Sequence, residues 1–306
     1  MKPDFICIGA QKAGTSWLHA NCEKHPDFAM PPVKELHYFD REEKYLSADH
    51  LAVTRLKDRM ADPVWKKKMI GDIWRPLRSL KISKARWWAR FHLNDFTDDW
   101  YRSLFDIRRG LSGDVTPSYS AMYEEDIAHM HRVAPQAKLI FLIRNPVDRV
   151  WSMLRFAEQH GRPLDLEDLD KFKRRVDAPA QDMRTDYLRT VDLVLKYYAP
   201  EQLMIGFFDA IRRDPDGLFG AVCDYLGAPR PSGGGGGLRK KVNESKKKSS
   251  CPPHFRDYLV SKYAGLTEAL ADRYGSYANE WLKGLRGDEV VSQDADSFPA
   301  VIFPGR

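Results

Sequence analysis

The chain has 306 residues, of which 43% are hydrophobic, so it can bury a core and is not a disordered protein. Its 49 Lys and Arg against 43 Asp and Glu give a net charge of +6. This balance favours an anionic partner without deciding between a nucleotide, a polyanion and a nucleic acid. The longest apolar run, 139–143, is too short to cross a bilayer, and we see no signal peptide. We therefore expect a soluble cytoplasmic protein, whose four cysteines lack metal-ligand spacing and stay reduced.

The first predicted elements are a strand, a glycine-bearing turn and a helix. Phe5–Gly9 is a short apolar run that ends in glycine, and an amphipathic stretch follows over Thr15–Lys24. Residues 41–110 then form a basic region that is either a helical insertion with core tryptophans or a binding wall. Five of the eight tryptophans lie in it: Trp65, Trp74, Trp87, Trp88 and Trp100.

The remaining sequence alternates between predicted strands and helices. Strands are expected at 113–116, 138–143 and 203–208, and helices at 123–133, from Pro146 onward, at 183–198, 215–226 and 254–274. Such alternation predicts an α/β fold with a P-loop-like central parallel sheet and helices on both faces. We expect a single domain over 1–284, a glycine- and lysine-rich loop within 229–251, and a poorly ordered tail over 285–306.

The turn after the first strand has the glycine spacing of a phosphate-binding loop. Gly9 and Gly14 are separated as in a P-loop, and hydroxyl residues follow at Thr15 and Ser16. A nucleoside triphosphatase carries lysine directly after the second glycine, whereas here the lysine is Lys12, inside the loop. A strand–helix turn with an incidental lysine is the plainer alternative.

A second anion site is predicted at the end of the strand 138–143. Arg144 follows that strand directly, and Ser152 lies two turns into the next helix. Arg149, between them, is expected to be a solvated or ion-paired helix residue. Ligands of open α/β sheets bind beyond the carboxyl ends of the strands, and a guanidinium binds oxyanions through two parallel donors. P-loop triphosphatases carry an acidic residue there to hold magnesium, so a cation in this place favours an anion over a metal.

The ordered set of motifs resembles the sulfotransferases that use 3'-phosphoadenosine 5'-phosphosulfate (PAPS), closest to the branch with heparan-sulfate and bacterial enzymes. Residues 11–16 resemble the family's 5'-phosphosulfate loop, and 144–152 resembles its 3'-phosphate motif. Segment 35–39 (Glu-Leu-His-Tyr-Phe) resembles the Glu-x-His-Phe-Phe segment, while 100–105 and 116–119 fall where similar segments do. Segment 244–248 resembles the Ser-Lys-Gly-Arg loop that closes over the nucleotide.

The resemblance implies transfer of a sulfuryl group from PAPS to a hydroxyl or amine, without metal, releasing 3'-phosphoadenosine 5'-phosphate (PAP). It implies that Lys12 stabilises the leaving group and that Glu35 is the acceptor base, with His37 as the other candidate. A set of nucleotide-binding residues is also implied: Gln11, Lys12, Ala13, Gly14, Thr15, Ser16, Arg144, Ser152, Ser245, Lys246, Lys247 and Lys248.

Two positions depart from the family pattern. Val115 stands where the glycan enzymes often carry lysine, so a polysaccharide acceptor is not favoured over a lipid or small molecule. Lys247 replaces the glycine of the cover loop. On the acceptor side, the basic region 41–110 is the expected wall.

Two other function classes remain open at this point. A P-loop nucleotide or small-molecule kinase would use the same turn, although the displaced lysine and missing strand-end Asp count against it. A non-catalytic module that binds polyanions or nucleic acid would use the basic loops, but it would not need both Lys12 and Glu35. No nucleic-acid partner is therefore expected, and the acceptor and oligomeric state are left open.

Overall fold

The computed structural model describes residues 2–45, 51–106, 110–165, 167–231, 238, 250–286 and 298–304. One sheet contains five strands in the order β2-β1-β3-β4-β5. Its strands are β1 Phe5–Gly9, β2 Gly113–Val115, β3 Lys138–Ile143, β4 Leu203–Phe207 and β5 Val301–Ile302. Helices of the first half are α1 Thr15–Lys24, α2 Leu56–Arg59, α3 Pro63–Arg78, α4 Ile82–His92, α5 Asp98–Ser103 and α6 Glu124–Val133. Those of the second half are α7 Pro146–Gln159, α8 Leu169–Val176, α9 Pro179–Thr185, α10 Tyr187–Leu195, α11 Phe208–Arg213, α12 Pro215–Leu226, α13 Pro253–Tyr274 and α14 Ser276–Arg286.

The central strands are apolar along their whole length and buried on both faces. Every residue of β1 and β4 is buried, and so is every residue of β3 after Lys138. This pattern is typical of parallel strands covered by helices, where the alternation of polar and apolar residues disappears. The pairs β2–β1, β1–β3 and β3–β4 are parallel, so the carboxyl ends of these strands lie along one edge. The predicted α/β fold is confirmed.

One edge of the sheet differs from the all-parallel prediction. The short strand β5 pairs antiparallel with β4, joining Ile302 to Ile205 and Val301 to Gly206. It comes from the tail that was expected to be poorly ordered. Two apolar residues, Val301 and Ile302, are enough to pair there because the backbone of β4 has donors and acceptors open on that side.

The segment predicted as one helix at 183–198 is divided between α9 and α10. The break falls at Asp186, whose carboxylate accepts a hydrogen bond from the backbone N–H of Arg189 at 3.0 Å. A side chain that caps a helix start satisfies a donor that a continuous helix would have used internally. The periodicity alone did not reveal this cap.

The basic region 41–110 contains the helices α2 to α5. Trp87 and Trp100 are buried in it, whereas the side chain of Trp74 is 58% exposed. The expectation of core tryptophans is therefore met at the first two and fails at the third. Within the described residues, no helix combines the length and the apolar character needed to cross a membrane.

Candidate active site

The turn between β1 and α1 forms a loop that begins and ends at glycine. Gly14 is the N-cap of α1 with φ 96°, a conformation that glycine adopts at little cost. A Cβ at Gly14 would lie 2.2 Å from Cδ1 of Ile211 on α11, so the packing also requires glycine. No side chain caps the first turn of α1, which leaves its backbone N–H groups available to an anion.

Two basic residues lie at this loop, and neither pairs with a carboxylate in the part of the chain that the structure describes. Arg144, directly after β3, donates from Nη1 to the carbonyl oxygen of Lys12 at 3.2 Å. Burial and the nearby Arg144 lower the pKa of Lys12 to about 8. The pKa of Arg144 is also lowered, chiefly by burial, and its Nε is buried without a hydrogen-bond partner among the described residues. An anion bound here would satisfy both groups.

Aromatic rings hold the two cations in place. The Lys12 ammonium lies 4.2 Å from the ring centre of Phe156 on α7, and the Arg144 guanidinium lies 4.4 Å from that of Phe208 on α11. The Tyr187 hydroxyl donates to the carbonyl oxygen of Arg144 at 2.9 Å. Cations over aromatic faces are attracted to them without being neutralised, so their charge stays available to a ligand.

Other predicted nucleotide-binding residues lie on the same elements. Ala13 and Thr15 are buried, whereas Ser16 at the start of α1 and Ser152 in α7 are half-buried. The Gln11 side-chain oxygen is buried with no hydrogen-bond partner among the described residues. The structure thus brings the loop and Arg144 into direct contact, with Ser152 on the helix that follows Arg144.

Arg149 was interpreted from the sequence as a solvated or ion-paired helix residue, and this is wrong. Its side chain is fully buried in α7, and it donates to the hydroxyl of Thr185 and, at 3.3 Å, to Oε1 of Gln181. It therefore joins α7 to α9. Desolvation lowers its pKa.

The candidate base Glu35 lies in a chain of alternating charges. Glu35 pairs with Lys34 on one side, and its Oε2 lies 3.6 Å from Nε2 of His37 on the other. The opposite ring nitrogen of His37, Nδ1, lies 3.0 Å from Oδ2 of Asp40, which is buried. Ser118 donates to the same Oδ2 at 2.5 Å. The imidazole is therefore held between two carboxylates.

These contacts decide the ionisation of both candidate bases. Burial alone would lower the pKa of His37, but the two carboxylates outweigh it and raise the pKa to about 9. Burial would raise the pKa of Glu35, but hydrogen bonds from His37 and Lys34 lower it to about 2. At neutral pH, His37 is an imidazolium and Glu35 is a carboxylate.

The segment around Glu35 is fixed to the sheet by a buried polar network. Tyr119 accepts a hydrogen bond from the backbone N–H of Tyr38 at 3.0 Å and donates to Oδ2 of Asp114 at 2.9 Å. Asp114, on β2, also accepts from Tyr101 and Thr116. Sequence reasoning did not single out Asp40 or Asp114, which this network and the His37 contact depend on. A carboxylate three residues after a candidate histidine was the available signal for the first.

Comparison with known proteins decides the family. The sequence profile described as "Sulfotransferase family" matches residues 3–232, most of the chain. The chain belongs to the sulfotransferase family. It is 30% identical over 141 residues to human heparan sulfate glucosamine 3-O-sulfotransferase 6, a match covering 43% of this chain and 40% of that protein. It is 28% identical over 144 residues to a bovine bifunctional heparan sulfate N-deacetylase/N-sulfotransferase 2, covering 42% and 16% respectively. The match thus spans less than half the length of these curated relatives.

A solved structure of a sulfotransferase from Alicyclobacillus acidocaldarius shares the fold. The two chains superpose with a TM-score of 0.57 at 22% identity, over 95% of this sulfotransferase and 98% of the bacterial chain. Membership in the family favours sulfuryl transfer over the phosphoryl transfer that the kinase alternative required.

Part of the predicted nucleotide-binding set lies outside the described residues. Ser245, Lys246, Lys247 and Lys248 are in this group, and they remain predictions. Within the same loop, Leu238 is described, and its carbonyl oxygen accepts a hydrogen bond from the indole of Trp17 on α1 at 2.8 Å. Leu238 is thus attached to the helix that begins at the glycine-bearing turn.

Proposed function

We propose that this sulfotransferase moves the sulfuryl group of PAPS to a hydroxyl or amine of a carbohydrate, lipid or small-molecule acceptor. The observation that carries the proposal is the pairing of two unlike groups of charges. Arg144 donates to the backbone carbonyl of Lys12, and neither side chain pairs with a carboxylate among the described residues, while the Glu35 carboxylate lies next to a protonated His37. The first group suits an anionic donor, and the second suits an acceptor that must lose a proton.

The residues of the loop fit the nucleotide. The uncapped N–H groups after Gly14 and the ammonium of Lys12 would hold the 5'-phosphosulfate, and Arg144 with Ser152 would hold the 3'-phosphate. The buried Nε of Arg144, which has no hydrogen-bond partner among the described residues, supports a ligand group there. PAPS supplies an activated sulfuryl group and leaves as PAP.

Lys12 serves the leaving oxygen. Transfer by in-line displacement moves negative charge onto the oxygen that bridges donor and sulfuryl group, and a cation fixed beside it lowers the barrier. The contact of the Lys12 carbonyl with Arg144 and of its ammonium with Phe156 fixes both ends of this residue. The positively charged form is the active one.

Glu35 is the proposed base, and the protonated His37 holds its carboxylate in place. A histidine with a pKa of about 9 carries its proton at neutral pH, which favours Glu35 over His37 as the base. A carboxylate with a pKa of about 2 is a weak base while it is paired with Lys34. An acceptor that displaces Lys34 from Glu35 raises the pKa of the carboxylate and makes it a stronger base.

Two measurements test the reaction class. In a thermal-shift assay, PAP should raise the melting temperature, whereas ATP with magnesium should not. Isotopically labelled PAPS incubated with protein and a cell extract should then yield a labelled product, which mass spectrometry identifies as a sulfate ester or sulfamate. Stabilisation by ATP with magnesium alone would favour a kinase. Salt-dependent nucleic-acid binding without any response to PAP would favour the non-catalytic module.

A further inference from the structure

The hairpin formed by α3 and α4 ends in an exposed tip that is both apolar and basic. We define the hairpin tip as residues 74–84; every side chain in it apart from Pro76 is exposed. Leu80 is 86% exposed and Ile82 is 53% exposed. Four apolar residues alternate along the tip with four basic ones and no acidic one: Trp74, Leu77, Leu80 and Ile82 with Arg75, Arg78, Lys81 and Lys84.

The hairpin of α3 and α4 carries a strong positive charge. Residues 63–92 contain nine Lys and Arg and one Asp, a net charge of +8. All other residues together contain 40 basic and 42 acidic side chains, a net charge of −2. A second basic cluster, with six Lys and Arg and one Glu over 239–248, lies outside the described residues. The field of the hairpin directs its tip toward an anionic surface.

The turn at the tip presents leucine where a smaller residue would fit the backbone better. Leu80 has φ 54°, and the N–H of Lys81 donates to the carbonyl oxygen of Pro76 at 2.9 Å, as in a helix ending of the Schellman type. Glycine or asparagine adopts that conformation at lower cost. The chain instead places a large apolar side chain there and leaves it almost wholly in solvent.

The base of the hairpin is anchored, so the tip is carried on a fixed support. The buried Trp87 of α4 donates from its indole to the carbonyl oxygen of Leu104 at 2.8 Å. His92 of α4 pairs with Asp72 of α3 at 3.1 Å and ties the two helices together. The exposed apolar residues of the tip are therefore held outward by a rigid pair of helices.

We propose that the hairpin tip docks onto the surface of an anionic lipid bilayer. Trp74, Leu77, Leu80 and Ile82 would enter the boundary between headgroups and acyl chains, while Arg75, Arg78, Lys81 and Lys84 contact lipid phosphates. A second copy of the chain does not suit the tip, because pairing would bring two +8 hairpins together. A soluble polyanion would satisfy the basic residues and leave Leu80 and Ile82 in water. The proposal does not depend on sulfuryl transfer.

Co-sedimentation with vesicles tests the docking. The full chain is mixed with vesicles of phosphatidylcholine alone or with about 30% phosphatidylglycerol, at low salt and at about 0.5 M salt. We expect binding to the anionic vesicles that weakens with salt. The triple variant Trp74→Ser, Leu80→Ser, Ile82→Ser should bind at least about tenfold more weakly, because it removes most of the inserted apolar area. The matched control is Leu93→Ser, an exposed leucine at the opposite end of α4, which should bind like the wild type.

Quenching separates insertion from electrostatic adhesion. Lipids with a quencher in the acyl chain should reduce tryptophan fluorescence in the wild type and much less in Trp74→Phe. An unchanged melting temperature and PAP response in each variant show that the fold is kept. Equal vesicle binding by the triple variant would overturn the proposal, as would binding without quenching. Sedimentation velocity gives one more outcome that would overturn the proposal. If the wild type is a dimer, the triple variant is a monomer and neither binds vesicles, the tip serves self-association.

Discussion

The two sides of the candidate active site handle charge in opposite ways. On the proposed donor side, Arg144 contacts the backbone of Lys12, neither side chain pairs with a carboxylate among the described residues, and the pKa values of both are lowered. On the acceptor side, His37 lies between Asp40 and Glu35, and its pKa is raised to about 9. The Lys12 and Arg144 group has an excess of positive charge, whereas the positive charge of His37 is balanced by the carboxylates beside it.

This difference supports the proposed assignment of the two sides. Half-buried cations without a carboxylate partner among the described residues destabilise the folded chain until an anion binds, which favours an anionic ligand on the proposed donor side. The proposed acceptor side needs no added charge, which suits a neutral hydroxyl. Four substitutions test this contrast.

Glu35→Gln should have the largest effect. The amide keeps the shape of the side chain but cannot take a proton, so turnover should fall by about 10³-fold or more while PAP affinity stays the same. Steady-state assays with PAPS and the identified acceptor, together with a PAP titration, measure the two quantities. His37→Ala is the comparison and should retain measurable activity. An active Glu35→Gln protein beside an inactive but folded His37→Ala protein would move the role of base to His37.

Lys12→Ala should reduce turnover by about 10²- to 10³-fold, because it removes the cation beside the leaving oxygen. The fold should persist, since removing a partly desolvated charge relieves its burial. Circular dichroism and single-turnover kinetics would measure both. Lys24→Ala, at an exposed lysine at the end of α1, is the matched control and should behave like the wild type. Wild-type turnover in Lys12→Ala would contradict the assignment.

Arg144→Ala should weaken PAP binding by about 10- to 100-fold, the usual range for a lost hydrogen bond to a charged group. The affinity for adenosine 5'-phosphosulfate, which lacks the 3'-phosphate, should fall much less. Calorimetric titration of both nucleotides into wild type and variant separates the two effects. Equal losses would show that Arg144 does not contact the 3'-phosphate.

Asp40→Asn should have the smallest effect and should change the pH profile. Removing this carboxylate lowers the pKa of His37 from about 9 toward its ordinary value of 6.5. The imidazolium that holds the Glu35 carboxylate in place is then lost at a lower pH, so kcat/KM near pH 8 should fall about 3- to 10-fold below that of the wild type at the same pH. NMR titration of the His37 ring measures the pKa directly. An unchanged profile would show that Asp40 does not set the charge of His37.

Much of the donor side could be read from the sequence because it is local. The strand, the glycine turn and α1 follow one another in the chain, so the spacing of Gly9, Lys12 and Gly14 is enough to predict a phosphate-binding loop. Arg144 was placed correctly because strand ends of parallel strands meet at one edge. The burial of Arg149 was not predicted, because a single sequence does not show which face of α7 packs against α9.

The acceptor side depends on contacts between distant segments. Ser118 reaches Asp40, and Tyr119 reaches the backbone of Tyr38, across about eighty residues of chain. Spacing along the sequence does not reveal such pairs. The ionisation of His37 follows from those contacts, which is why the sequence left Glu35 and His37 as alternatives. The antiparallel strand β5 was missed for a similar reason, since Val301 and Ile302 are too short a run to signal a strand.

Gly14 shows how such a loop resists mutational drift. Alanine there faces two separate obstacles: the methyl group would collide with Ile211, and the backbone would keep φ at 96°. A smaller residue at 211 would remove the first obstacle and leave the second intact. No single compensating change elsewhere therefore frees this position. Among homologous sequences, substitutions should therefore be more frequent at the position of Ile211 than at the position of Gly14.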